Sequence, residues 1–465
     1  MGAGVETKAV VGDATGTAGP LTDEEAAALP QPPQVSLSVL AQMLRFSQRQ
    51  IDFVFGARRR LGGVFAIRTM NPHAVFTGLS DDARSLFMAK PEEARSFAAE
   101  SPLRPYLGPN ALLTSLGERH MRQRKLLLPP FHGEAIARYT QAISDATEHE
   151  IDSWPVGREF ALAPRMQAIT LDVIMAGIFG IEGHTGWGTP ARRMRTMTKH
   201  VLRATATPPA QIAEIMNLRN PEPVGLIKLF VYLFHRPLYA LIEQRRRDED
   251  LDERRDILSL LLRARTPEGE PLTDEEIRSE LLGLVLAGHE TTANSLAWAW
   301  ERLTRNPSAY ERLRDAVRTD TDADAVIEQT IIETMRSRPV VPVIGRRVKR
   351  PWRLGPYAVP AGTPALISVL LVHHQEDIYP EPFEFRPERW IDRKPGTYEW
   401  LPFGGGIRRC LGAALAMAEQ RAVLRAMAKR LDLEAADAAP ERALHRNVTM
   451  IPRQGARVVI RSRSG

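Results

Sequence analysis

The sequence predicts a mainly α fold with a smaller β region, carried by one large domain over residues 36–465 behind a flexible N-terminal arm at 1–35. Three observations lead there. Helical periodicity dominates residues 36–329, one helix of about thirty residues has a clear start and stop within that stretch, and short alternating apolar runs are confined to the last third of the chain. With 465 residues, 43% of them hydrophobic and 25% charged, the chain can bury a large core.

In chain order, the arm is rich in Gly, Ala, Thr and Pro and closes on Pro30, Pro32 and Pro33 without any period. Apolar-rich helical segments come next at 169–181, 238–247 and 257–262. At Thr273, followed by Asp274, Glu275 and Glu276, a capping box with acids in the first turn opens a helix that runs to Asn306-Pro307. Its first half, Leu281 to Gly288, is apolar on nearly every face, which predicts burial all round. A further helix is expected at 323–338, then a small sheet at 348–370 broken by Gly355-Pro356 and Pro360-Ala361-Gly362. Residues 375–408 show little period and read as a long functional loop. An Ala-rich helix at 410–433 and a hairpin-like tail at 448–460 complete the chain.

Composition excludes several function classes. No run reaches the ~18 consecutive apolar residues of a membrane span, and the first thirty residues lack a signal-peptide core. Glu6 stands where an N-myristoylation signal needs Ser or Thr, so a cytoplasmic location is expected. A single cysteine forbids an internal disulfide and an iron–sulfur cluster. The formal charge of +6 is mild and its arginines are scattered, so nucleic-acid binding is not expected.

Two places concentrate chemistry. His289, Glu290, Thr291, Thr292 and Asn294 interrupt the buried helix, and buried polar groups each need a partner or a cavity. Hydroxyls bonded back to their own helix are the plain alternative. A zinc-protease motif is excluded because the second His would fall on Ala293. The other place is Phe403-Gly404-Gly405-Gly406-Ile407-Arg408-Arg409-Cys410-Leu411-Gly412, where the sole thiol stands at a loop-to-helix junction. Helix-terminal N–H groups favour a thiolate, and successive glycines let backbone approach a flat ligand. An inert core cysteine is the plain alternative.

The pattern Phe403, Gly406, Arg408, Cys410, Gly412 resembles the haem-binding signature of the cytochrome P450 family. In the same order, Ala287-Gly288-His289-Glu290-Thr291-Thr292 resembles its oxygen-binding helix, Glu333-Thr334-Met335-Arg336 its Glu-x-x-Arg helix, and Phe385-Arg386-Pro387-Glu388-Arg389-Trp390 the segment after it. Gly117-x-x-His120-x-x-x-Arg124, ahead of Pro129 and Phe131, extends the likeness upstream, so it covers about residue 36 to the C-terminus. Gln375-Glu376 departs from the Asp-Pro the family often carries there.

The resemblance implies that Cys410 ligates the iron of haem b, that Phe403 and Gly412 belong to the cofactor loop, and that His120, Arg124, Arg346 and Arg408 contact its two propionates. Arg347 adjoins Arg346, which leaves open which of the two reaches the haem. Glu290 and Thr291 take the places of an acid–alcohol pair that relays protons to bound oxygen. Glu333, Arg336 and Arg389 would brace the cysteine loop. Ala287, Val340, Val341, Val343, Met450 and the loop at 102–113 would face a hydrophobic substrate such as a lipid, terpenoid, steroid or secondary metabolite. Segment 224–234 falls at the family's lid, as an ordinary half-buried helix or as a site of weak membrane contact. Without a fused flavin or iron–sulfur module, electrons would come from a separate ferredoxin or similar donor, docked near Arg122, Lys125 and Arg409. The implied activity is haem-thiolate monooxygenation. Peroxide-driven or non-oxygenating turnover on the same scaffold, and a haem-binding sensor without turnover, are the rivals.

Overall fold

The capping box forms as the sequence predicts: the Glu276 N–H donates to the Thr273 hydroxyl (3.2 Å) and the Thr273 N–H donates to the Glu276 carboxylate (3.1 Å). From it the central helix runs Asp274–Leu303. The structure is a computed structural model and describes residues 17–464, apart from 69–72, 102, 182–188, 206–212, 214–215, 218–219, 221–222 and 267–268. The central helix packs most extensively on Ala163–Phe179, and also against Ala323–Ser337 and Ala413–Arg430. Its two halves serve two cores. Leu281, Leu282 and Val285 pack with Ile174, Phe234 and Leu258 at one end, and Leu296, Trp300 and Leu303 with Ile169, Val423 and Leu424 at the other. An all-round apolar helix needs such cover.

The β region is larger than the sequence reading allowed. Its main sheet has five strands in the order Val64–Ile67, Ala74–Thr77, Pro364–Ser368, Val343–Val348 and Ala94–Ser96. Ala74–Thr77 and Pro364–Ser368 are parallel and the other pairs antiparallel. The first two strands lie in the stretch read as helical. Every residue in them is buried, so no polar alternation marks them. Part of the arm is also structured. Gly19–Pro20 pairs with Trp352 and Arg353, Thr22 caps a short helix at Asp23–Ala27, and the Ala358 N–H donates to the Pro30 carbonyl. The arm expected to be flexible over 1–35 is thus held against the small sheet from 17 onward, while residues 1–16 lie outside the described residues. The tail is not one hairpin: Ala443–Arg446 pairs with Thr449–Pro452, and Arg457–Arg463 joins Leu431–Ala435 and Glu159–Ala161.

The long loop 375–408 is held by one buried carboxylate. Glu333 accepts from Arg336 on both oxygens (2.8 Å each), from the Arg386 N–H (2.9 Å), from Arg389 (3.1 Å) and from the Trp390 indole (3.0 Å). Arg336 donates onward to the carbonyls of His373 and Pro382. A fully satisfied pair of this kind orders the segment around it. His373 ties the network to the cysteine loop. The Leu401 N–H donates to its Nε2 (2.7 Å), which leaves the proton on Nδ1 to donate to the Arg336 carbonyl (3.1 Å).

Burial, with the Arg336 charge beside it, pushes His373 down to about 3 from an ordinary 6.5. The unfolded chain takes up this proton below about pH 6.5 and the folded chain does not, so stability present above 6.5 is lost as pH falls toward 3. His373→Gln is expected to cost about 1–3 kcal/mol at neutral pH. It should also flatten part of the acid slope of Tm over that window, as thermal scans in a pH series would measure.

Candidate active site

The cysteine loop is shaped by contact with the backbone at Phe87. Gly404 and Gly406 have positive φ (67° and 64°), and a Cβ at Gly406 would stand 2.3 Å from the Phe87 carbonyl oxygen. Only glycine fits there without displacing backbone. The Cys410 N–H donates to the Phe403 carbonyl (2.9 Å), and Gly412 caps the following helix, Ala413–Arg430. The Cys410 thiol is exposed to the cavity it lines, while protein on its other sides desolvates it. Burial therefore raises its pKa, opposed by the Gly412 amide and then by the Arg409 and Arg124 charges.

That cavity measures about 790 Å³ and is mainly apolar in its walls. The central helix supplies Ala287, Glu290 and Thr291, and the chain entering the strand Val343–Val348 supplies Val340, Val341 and Val343. Leu103, Tyr106, Leu112 and Leu113 contribute from the loop at 102–113, where Pro102 lies outside the described residues. Met450 departs from expectation. It is buried in a core cluster with Trp298, Val340 and Leu370, and the tail residues that line the cavity are Asn447, Val448 and Thr449. From the roof helix, Gly225–Arg246, Val231 and Phe234 face the cavity, while Leu226, Leu229 and Tyr232 are exposed. Among the described residues this helix alone is long and apolar enough to cross a membrane by length and composition. Its inner face packs into the core through Ile227, Phe234 and Leu238.

Beside the thiol the structure gathers three arginines and a histidine. Arg346 is buried over the Phe87 ring (5.3 Å) and reaches the carbonyl of its neighbour Gly345 (3.0 Å). Arg408 donates to the carbonyls of Leu112 (3.2 Å) and Ser115 (2.5 Å), and Arg124 to that of Arg409 (2.8 Å). No carboxylate among the described residues forms an ion pair with any of the three. Burial pushes Arg346 and Arg408 down to about 10, in Arg408 with the Arg346 and Arg124 charges adding to it, and burial lowers Arg124 as well. His120, buried beside them, falls to about 4 through burial and then Arg408 and Arg124, so it offers a neutral N–H. Arg347 is different: Glu100 takes its guanidinium through Nε (3.1 Å) and Nη2 (2.5 Å).

Unpaired buried guanidiniums want carboxylates. A flat ligand with two carboxylates would suit these cations and the glycine-lined thiol, and the haem that the motifs imply is such a ligand. Across the cavity, the Thr291 hydroxyl donates to the Ala287 carbonyl (2.7 Å). Glu290 accepts from Arg446 Nε (3.0 Å) and Nη2 and from the Thr449 hydroxyl (3.5 Å). Arg446 was not anticipated from sequence, nor were two buried acids on the cavity wall, Glu280 and Glu419. Burial lifts Glu419 up to about 8, with a Thr292 hydrogen bond opposing it. Arg122, expected at a docking patch, is held by Glu276 (3.2 Å), which leaves Lys125 and Arg409 as the exposed cations there, beside exposed Ile407.

The comparisons with known proteins agree with one another. The cytochrome P450 family model matches residues 30–459. The chain is 36% identical over 390 residues to "Putative cytochrome P450 137" of Mycobacterium tuberculosis, covering 82% of this chain and 79% of that one. It is 35% identical over 444 residues to "Putative cytochrome P450 135B1" of Mycobacterium bovis, covering 93% and 92%. In fold it resembles the retinoic acid bound cyanobacterial CYP120A1, with a TM-score of 0.76 at 23% identity over 93% of this chain and 100% of that chain.

Gly406→Ala is expected to destabilise the protein by about 1–3 kcal/mol, because it strains a left-handed position against fixed backbone. Chemical denaturation of the variant beside the parent measures it, and an unchanged midpoint would refute this account of the loop.

Proposed function

The chain belongs to the cytochrome P450 family and is a haem-dependent monooxygenase, and on that basis we propose that it inserts one oxygen atom from O2 into a hydrophobic organic substrate with electrons from a separate protein donor. The observation that carries this reading is the set of unpaired guanidiniums gathered beside the sole thiol at the edge of an apolar cavity.

In this reading Cys410 is the iron ligand, and Arg124, Arg346 and Arg408, with His120 as a neutral donor, hold the propionates of haem b. Thiolate-bound haem supplies the activation of dioxygen. The chain's own residues supply the protons. With its hydrogen on the Ala287 carbonyl, Thr291 Oγ1 keeps lone pairs free to accept a proton-bearing partner. Glu290 Oε1, fixed by Arg446 and Thr449, stands beside it with 22% of its side chain accessible and can exchange protons with water. The apolar walls exclude further water and favour an apolar substrate.

The electron donor is proposed to be an acidic ferredoxin or similar protein that docks where Lys125, Arg409 and Ile407 are exposed on the cysteine side. The exposed face of the roof helix supports weak contact with a membrane surface, and the cytoplasm remains the proposed compartment.

Two measurements test the proposal. The reduced protein with carbon monoxide should give the optical signature of thiolate ligation, and Cys410→Ser should abolish it. Turnover of an apolar substrate with ferredoxin, reductase and NAD(P)H should exceed turnover with hydrogen peroxide. The reverse order would establish the peroxide-driven alternative, and absence of product with either would leave a sensor. Separately, Arg346→Met and Arg408→Met should each release haem to apomyoglobin faster than the parent, by roughly tenfold, since each leaves a propionate unpaired.

A further inference from the structure

Two buried acids on the cavity wall are not used by the oxygen chemistry: Glu419, which bonds Thr292, and Glu280 on the central helix. Glu280, Leu284, Ala287 and Thr291 succeed one another at three- or four-residue spacing along the central helix and all line the same cavity. Between Glu280 and Thr291 the helix rises about 16 Å. Glu280 is buried, and both of its carboxylate oxygens lie 3.1 Å from a single donor, the Leu112 N–H. A carboxylate has room for about four such bonds. Its neighbours on the helix are all provided for: Glu276 is paired with Arg119 (3.0 Å) and Arg122, Glu290 with Arg446, and Glu301 with Arg302 and Arg305. Glu280 has no ion-pair partner among the described residues. Burial pushes its carboxyl up to about 8, opposed by the Leu112 hydrogen bond and then by the Arg119 charge.

Leu112 joins this acid to the arginine cluster, its N–H donating to Glu280 and its carbonyl accepting from Arg408 (3.2 Å), and Leu282 and Phe234 line the same largely apolar space. We propose that Glu280 anchors the ammonium head of an elongated, otherwise apolar amine substrate, and so sets which carbon, about 16 Å along the chain, lies beside Thr291. This rests on the monooxygenase reading above. An ammonium supplies a cation with N–H donors, whose arrival favours the ionised carboxylate, and an alcohol- or carboxylate-ended chain brings no such charge.

Calorimetric titration of the holoprotein with dodecylammonium, dodecan-1-ol and dodecanoate tests the assignment. The ammonium should bind at least about tenfold more tightly than either the alcohol or dodecanoate. In Glu280→Gln, which can still accept from Leu112, the preference of ammonium over alcohol should fall to within about threefold while alcohol binding holds. The ligand series in the parent protein decides the matter even if the variant does not fold. The ferric spectrum should report displaced water. Nitrogen ligation of the iron means a reversed pose and overturns the anchor, as does equal affinity for ammonium and alcohol. A thiolate signature in the carbon monoxide adduct alongside equal affinities removes the anchor alone, and a missing signature removes the monooxygenase reading together with it.

Discussion

Three guanidiniums held together without a carboxylate set the terms for this molecule. Arg346 and Arg408 each feel the desolvation of a protein interior, and Arg408 also feels the charges of the other two. A fold does not gather such groups for its own stability, since like charges at close range in a low-dielectric site oppose folding. In the proposed reading a dianionic cofactor would neutralise them, which would link cofactor binding to folding free energy, since whatever binds the native state alone stabilises it. The surrounding scaffold has to hold the cluster in place without help from the charges themselves. Apolar packing and backbone hydrogen bonds do this, with Arg346 on the Phe87 ring and Arg408 on two loop carbonyls.

The same division of labour explains the Glu333 network. Its charges are fully paired and buried, in contrast with those at the cavity, and it acts on the loop through carbonyls rather than on any reacting atom. His373 carries that order to Leu401, two residues ahead of Phe403. The cysteine loop is thus gripped from both sides, by Phe87 backbone above its glycines and by the histidine bridge before them. A metal ligand on a loop needs this, because a thiol on a freely moving backbone cannot hold a fixed distance to a rigid ring.

What could be read from the sequence was what is local in it. The cysteine loop, the acid–alcohol pair and the Glu-x-x-Arg turn each span a few residues, and their chemistry is written in those residues. Arg346 and Arg347 could not be told apart, because both line the cavity and only a distant contact, the pairing of Arg347 with Glu100, sets them apart. The tail failed on the placement of its turn. The turn falls at Asn447, with φ of 56°, and pairs Arg446 with Thr449, so these two share a face and both reach Glu290 while Met450 turns into the core. An expected hairpin at 448–460 places that turn too late and inverts the faces. Glu280 was accessible in principle, since it stands seven residues before Ala287 on a helix whose orientation the motif already gives.

The central helix shows how far one residue type can be differentiated by its surroundings. Glu276 closes the capping box and ties down Arg119 and Arg122; Glu290 meets Arg446 at the cavity wall; Glu301 is buried between Arg302, Arg305 and the Glu441 N–H. Each is neutralised where it stands, at a surface, at the cavity wall and in the core. Composition and motif scanning treat these glutamates alike. The distinction arises from contacts that span more than a hundred residues, since Arg446 stands 156 positions from Glu290 and Leu112 stands 168 from Glu280. Function along this helix is assigned by what the rest of the chain brings to each turn, and Glu280, which forms no ion pair among the described residues, is the turn at which an outside partner is proposed.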